Sequence, residues 1–289
     1  MSDTPVESMS AVKPLLRVID AARTSDGAGV TLYRSLGQSQ QVRLDPFLML
    51  DEFGSDRPDE YIAGFPAHPH RGFQTVTYML AGHMLHEDHL GNRGHLKSGG
   101  VQWMTAGRGI IHSEMPQQES GLMRGFQLWI NLPAREKMRP AEYQDLDADL
   151  IPIYREASGL VVKVIAGVLQ RAGQEVKGPI ERVSTQPIFW DVHLPAGAEF
   201  EQPLAPFHNT YVYVYDGALE GQSARQGGIY GAGAAIKLRA LQAPTRCLVL
   251  AAKPIGEPVV QYGPFVMNTR AEIEQAISDY QSGRLVARS

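Results

Sequence analysis

His68-Pro69-His70-Arg71-Gly72-Phe73-Gln74-Thr75-Val76-Thr77-Tyr78-Met79-Leu80 places two histidines one residue apart, then a glycine, then an alternating run rich in β-branched and aromatic residues. The run reads as a strand, and on a strand residues i and i+2 face the same side. The arrangement recurs in Val101-Gln102-Trp103-Met104-Thr105-Ala106-Gly107-Arg108-Gly109-Ile110-Ile111-His112-Ser113-Glu114, where a strand and a glycine turn lead to His112 and Glu114. Each phrase therefore aims a pair of ligand-type side chains into one interior. Three imidazoles and one carboxylate suit a redox-active transition metal. No cysteine takes part, unlike the usual closed structural zinc site, so coordination positions stay open for chemistry.

Seven of the nine histidines fall between positions 68 and 112. Four of them, His83, His86, His89 and His95, lie in a glycine-punctuated polar stretch that reads as a hairpin arm and its turn. None has a partner in the phase of the two pairs, so they are expected off the metal, with His86 the best placed to support it.

Outward from these phrases, strand-like segments with turn signals run through both halves of the 289-residue chain, and its 29 glycines and 19 prolines are widely spread. That is the pattern of β-barrels or sandwiches, and the length suits two modest domains. The expected division is a disordered polar tail at 1–12, a metal-binding barrel at 13–137, a second barrel at 138–267, and a C-terminal helix and tail at 268–289. A charged, helical-looking connector, 133–140, joins the barrels. Phe207 to Gly217 repeats the shape of His70 to Gly82, but with one histidine, His208, and the later strand Arg246 to Ala252 has neither His nor Glu. The second barrel is therefore expected to be metal-free. In the final helix, Asn268 is the expected N-cap, and Ile273, Ala276, Ile277 and Tyr280 share one apolar face.

A formal net charge of -4 gives no reason to expect a nucleic-acid partner. No apolar run approaches the ~20 residues that cross a bilayer, and the N-terminus lacks the features of a signal peptide, so neither membrane nor export is expected. The single cysteine, Cys247, sits in an apolar strand-like run; it cannot form an internal disulfide and fits a reducing, cytoplasmic setting.

The wording of the two ligand phrases closely resembles the pirin family of the cupin superfamily. Asp45-Pro46-Phe47-Leu48-Met49-Leu50-Asp51-Glu52-Phe53 and Tyr262-Gly263-Pro264-Phe265-Val266-Met267-Asn268-Thr269 look like further signatures of it. The resemblance implies an all-β bicupin: two jelly-roll barrels in tandem with a C-terminal α-helix. It carries the family's metal ligands onto His68, His70, His112 and Glu114, holding one divalent transition metal, Fe(II) first, with Mn, Co, Ni, Cu or adventitious Zn as alternatives. One departure is visible, since Gln74 stands where the general cupin pattern and many pirins have Glu.

The implied activity is that of a quercetin 2,3-dioxygenase. A small planar flavonol would chelate through its 3-hydroxyl and 4-carbonyl, Glu114 would take the hydroxyl proton, and O2 would open the ring. The alternative is a metal- and redox-dependent regulator that binds a protein partner without turnover. A sugar isomerase is disfavoured, because no inward-facing basic residues flank the ligand strands. Asp51, Phe53, Trp103, Met104 and Met115 are candidate walls for a planar substrate, while Arg71 and Arg108 point away and suit turn or ion-pair roles.

Overall fold

The computed structural model describes residues 12–181 and 183–286, so the 1–12 tail lies outside them apart from Val12. Strands dominate, and the chain forms two compact units. The first comprises 21–151, 183–185 and 255–286, and the second 12–20, 152–181 and 186–254.

In the first unit a seven-stranded antiparallel sheet runs Glu142–Leu146, Val101–Thr105, Phe73–Ala81, Met123–Asn131, Phe47–Ser55, Val30–Leu36 and Ala22–Asp26. Facing it is a four-stranded sheet ordered Phe65–His70, Ile110–Pro116, His83–Asp88 and Arg93–Lys97. The chain passes from His70 in the small sheet to Phe73 in the large one within two residues. Gly72 makes that turn possible: its φ is +92°, and a Cβ there would overlap the Val266 carbonyl oxygen. The last two strands of the small sheet are the hairpin expected around His83 to His95.

The second unit repeats this plan. Its large sheet runs Leu15–Asp20, Gln226–Tyr230, Asn209–Asp216, Thr245–Ala252, Ile188–Leu194, Val161–Ala166 and Ile153–Arg155, with Glu199–Pro203 paired to Ala235–Arg239 apart from it. The strand Asn209–Asp216 occupies the third place, as Phe73–Ala81 does in the first unit. The strand Thr245–Ala252 is the counterpart of Met123–Asn131, not of the strand that bears His112. The counterpart of Ile110–Pro116 is Ala235–Arg239, whose Ile236 and Leu238 pack with Phe200 into the apolar core.

The units cut across the contiguous blocks 13–137 and 138–267. Edge-strand exchange is the reason. Leu15–Asp20 pairs with Gln226–Tyr230 in the second unit, whereas Glu142–Leu146 pairs with Val101–Thr105 in the first. The C-terminal helix also joins the first unit. Register and core contacts, not chain order, assign these segments.

The connector 133–140 forms one 3-10 turn, Ala134–Glu136, rather than a helix. The cause is Lys137, which turns inward to 1% exposure. Its ammonium donates to the Gly72 carbonyl at 2.8 Å, Asn131 Oδ1 at 2.7 Å and the Val266 carbonyl at 3.0 Å. All three donors are thus engaged, although burial pushes the group down to about 8. The second unit holds a matching buried Lys13, bonded to the carbonyls of Pro206 and His208.

The C-terminal helix spans Arg270–Gln281. Its N-cap is Thr269, not Asn268: Thr269 accepts from the Glu272 N–H while Glu272 accepts from the Thr269 N–H, a reciprocal capping box. Ile273 and Ala276 are buried, Ile277 partly so, and Tyr280 is 42% exposed with its ring 6.3 Å from that of Phe265. The buried face packs on a cluster that includes Ile111, immediately before the candidate ligand His112. Arg71 fastens this end through Asp279 Oδ2 at 2.8 Å and the Arg108 carbonyl at 2.5 Å, the ion-pair role expected for it. No helix among the described residues is long and apolar enough to cross a membrane.

Candidate metal centre

Neighbouring strands of the small sheet carry the two candidate ligand pairs, and their register sets His112 directly opposite His68. The ligand atoms of His68, His70 and His112 all lie within 4.8 Å of one another, the one such His/Cys/Asp/Glu grouping among the described residues. Ring centroids are 4.4 Å apart for His68 and His112 and 4.9 Å for His70 and His112.

The donor set fits a cation. His68 Nδ1 is 2.8 Å from the Pro66 carbonyl, so its proton belongs on Nδ1 and the Nε2 lone pair faces the cluster. That Nε2 sits 2.9 Å from His70 Nε2. Both ring nitrogens of His112 are buried with no hydrogen-bond partner. Burial first, and then the neighbouring imidazoles, holds His70 and His112 well below the usual histidine range, so both rings are neutral and could ligate a cation. Converging buried lone pairs without donors are costly unless an ion takes them.

Glu114 is buried on the same strand but stands apart from the three imidazoles. A register irregularity after His112 sets it opposite Phe65 on one side, and on the other it faces His86. Its carboxylate meets the large sheet, with Thr77 Oγ1 3.0 Å from Oε1 and Gln127 Nε2 3.4 Å from Oε2. Thr77 Oγ1 is also 2.5 Å from Gln127 Oε1, and its single proton can be given to only one of these oxygens. Neutral groups, not a cation, therefore hold the carboxylate.

His86 is buried, its ring 4.8 Å from that of His112 and both its nitrogens unpartnered. It sits beside the cluster, in the supporting position expected for it. Gln74 points to the opposite face of its strand and donates to Thr105 Oγ1 at 2.8 Å, so a Glu at this position would not reach the imidazoles from this backbone.

A cavity of about 600 Å³ opens onto the site. His68, His70 and Glu114 lie on one side of it, and Leu32, Met49, Phe53, Phe65 and Trp129 supply apolar walls. Of the candidate wall residues, Asp51 and Phe53 line it. Trp103, Met104 and Met115 do not; Trp103 is buried on the opposite face of the large sheet, beside Val76, and Met104 packs with Ala106 and Ile110. The sequence reading missed Trp129, whose ring is 5.3 Å from His70, and Arg34, whose guanidinium reaches the cavity from two strands away. Only sheet register reveals them.

Two β-sandwich units on one plan, one of them bearing three inward imidazoles, define a bicupin. Residues 29–130 match the Pirin family model, and residues 189–286 match the model of the pirin C-terminal cupin domain. A Pseudomonas aeruginosa protein, named provisionally as a quercetin 2,3-dioxygenase, is 51% identical over 96% of this chain and 99% of its own. Human pirin is 38% identical, covering 96% of this chain and 95% of its own. The crystal structure of a quercetin 2,3-dioxygenase from Acinetobacter baumannii aligns with a TM-score of 0.87 at 34% identity, covering 96% of this chain and 99% of that one. The chain belongs to the pirin family.

Proposed function

We propose that the first unit is a metal-dependent dioxygenase that opens a flavonol such as quercetin with O2. The observation that carries the reading is the cavity itself: His68, His70 and Glu114 stand at one side of an aromatic-walled space sized for a small planar molecule, with His112 grouped beside the two histidines. The likeness to the Acinetobacter enzyme supports it.

His68, His70, His112 and Glu114 are the proposed ligands. Fe(II) is the proposed metal, although Mn, Co, Ni, Cu and Zn accept the same donors. Such an ion supplies a Lewis acid for two chelating oxygens and a redox centre for dioxygen. The residues do the rest. Glu114 stands apart from the imidazoles in this structure, with Thr77 and Gln127 as its side-chain partners among the described residues, and would receive the 3-hydroxyl proton from that position before or after ligating the metal. Phe53, Phe65 and Trp129 hold the rings and keep water from the electron-rich enolate. A cytoplasmic setting belongs to the same reading, supported by the one cysteine, Cys247, being a buried free thiol.

Chelation can be tested without turnover. Under argon, the metal-loaded protein should shift the long-wavelength absorption of a 3-hydroxyflavone to the red, as the hydroxyl loses its proton on chelation. A methyl ether of the 3-hydroxyl should give no shift. Equal spectra for the two compounds, or an unchanged shift after His68→Ala and His70→Ala together, would contradict the reading.

A further inference from the structure

One row of side chains crosses the inner face of the large sheet in register: Arg34 pairs with Asp51, Asp51 with Gln127, and Gln127 with Thr77. Thr77 and Gln127 lie under Glu114. Two strand spacings, about 10 Å, separate the Gln127 strand from that of Arg34. The cavity spans this interval, since Glu114, Gln127, Asp51, Arg34 and Asp26 all line it.

At the far end Arg34 makes a two-pronged ion pair, Nε to Asp51 Oδ1 at 2.8 Å and Nη2 to Asp51 Oδ2 at 2.7 Å, and Nη2 also reaches Asp26 Oδ2 at 2.8 Å. Asp51 is almost wholly buried; burial pushes its carboxyl up to about 6, against the pull of the guanidinium. Asp26 is about half exposed; its Oδ1 accepts from the Gly27 N–H at 2.8 Å and its Oδ2 from Arg34, and each oxygen has a second lone pair. Among the described residues Nη1 of Arg34 has no hydrogen-bond partner, and Arg34 lines the cavity. This end therefore offers two N–H donors and a carboxylate acceptor side by side. One cation beside two carboxylates leaves it net negative.

A ligand group that suits this end must accept from Arg34, donate to Asp26, and carry no negative charge. A carboxylate meets only the first condition. A single hydroxyl can accept from one partner and donate to the other, whereas two adjacent phenolic hydroxyls engage one partner each and bring a further donor. We propose that Arg34, Asp26 and Asp51 form a distal specificity subsite for a catechol, with one hydroxyl accepting from Arg34 Nη1 and its neighbour donating to Asp26. Asp51 holds the guanidinium in place.

The inference rests on the flavonol reading of the cavity, and binding under argon to the Fe(II)-loaded protein separates the two. Three flavonols are compared, differing only in the phenyl ring farthest from the chelating oxygens: 3,4-dihydroxy, unsubstituted and 4-carboxylate. Wild type should bind the dihydroxy compound about 10–100-fold tighter than the unsubstituted one, as expected for one or two hydrogen bonds to charged groups. The carboxylate should bind weakest. Arg34→Lys keeps a cation beside Asp51 but loses the fork, and should bring the dihydroxy-to-unsubstituted ratio close to one. Asp26→Asn, at an exposed position, should lower the ratio partway. A merely structural role would weaken all three ligands alike and leave the ratio unchanged, which would overturn the subsite. Equal binding of all three by wild type would overturn it while leaving chelation standing. Binding of none would overturn the flavonol reading and the subsite together.

Discussion

Glu114→Gln is expected to leave the metal bound and to lower flavonol turnover by about 10²–10⁴-fold, the usual contribution of a general-base step. Glutamine keeps the size of the side chain and an oxygen donor but has almost no basicity. Three imidazoles remain to hold the ion, so metal content should fall modestly. The surroundings favour a clean comparison: Glu114 is held by Thr77 Oγ1 and Gln127 Nε2, and both can bond a carboxamide after rotating. Steady-state oxygen consumption, normalised to metal content in each preparation, measures the effect. A variant that turned over at near the wild-type rate with metal bound would remove Glu114 from the proton-accepting role.

Replacing His68 and His70 together by Ala should abolish metal binding, and His112→Ala should lower metal content and activity in parallel. Each change deletes a nitrogen from a cluster whose ligand atoms lie within 4.8 Å of one another. The loss in affinity should exceed the ~10–100-fold typical of removing a residue that merely supports a ligand. Wild type should hold about one ion per chain. The second unit places Phe200, Ile236 and Leu238 in its apolar core on the strands that match those bearing the candidate ligands, and no equivalent donor set occurs there among the described residues. Elemental analysis of the purified proteins checks this. A ratio near two, or full retention in the double variant, would contradict it.

The convergence of His68, His70 and His112 was legible in the sequence because it depends largely on a single local rule, the two-residue period of a strand, whereas Glu114, in the same phase as His112, stands apart from the three imidazoles. The same rule explains Gln74, which the alternation turns away from the imidazoles. Features that depend on which strands become neighbours were not legible. Arg34 and Asp51 are 17 positions apart, and nothing local to either marks them as an ion pair at the far end of the cavity. The assignment of Leu15–Asp20 to the second unit depends on an edge pairing with Gln226–Tyr230, across more than 200 residues.

The connector was misread for a related reason. Its charged composition suggested a solvated helix, but three acceptors brought together from Gly72, Asn131 and Val266 draw Lys137 inward. The helix cap is a different case. Thr269 followed three residues later by Glu272 is a capping-box signature available from the sequence, and the adjacent Asn268 drew attention from it.

Oxygen uptake with a flavonol, by protein of measured metal content, tests the central claim most directly. The account predicts that uptake follows metal content across preparations, stops on chelator treatment, returns on reloading with Fe(II), and consumes one O2 per flavonol opened. Protein holding about one ion per chain that consumed no oxygen with any flavonol would contradict the enzymatic reading, and would favour a metal-dependent regulator that binds a protein partner.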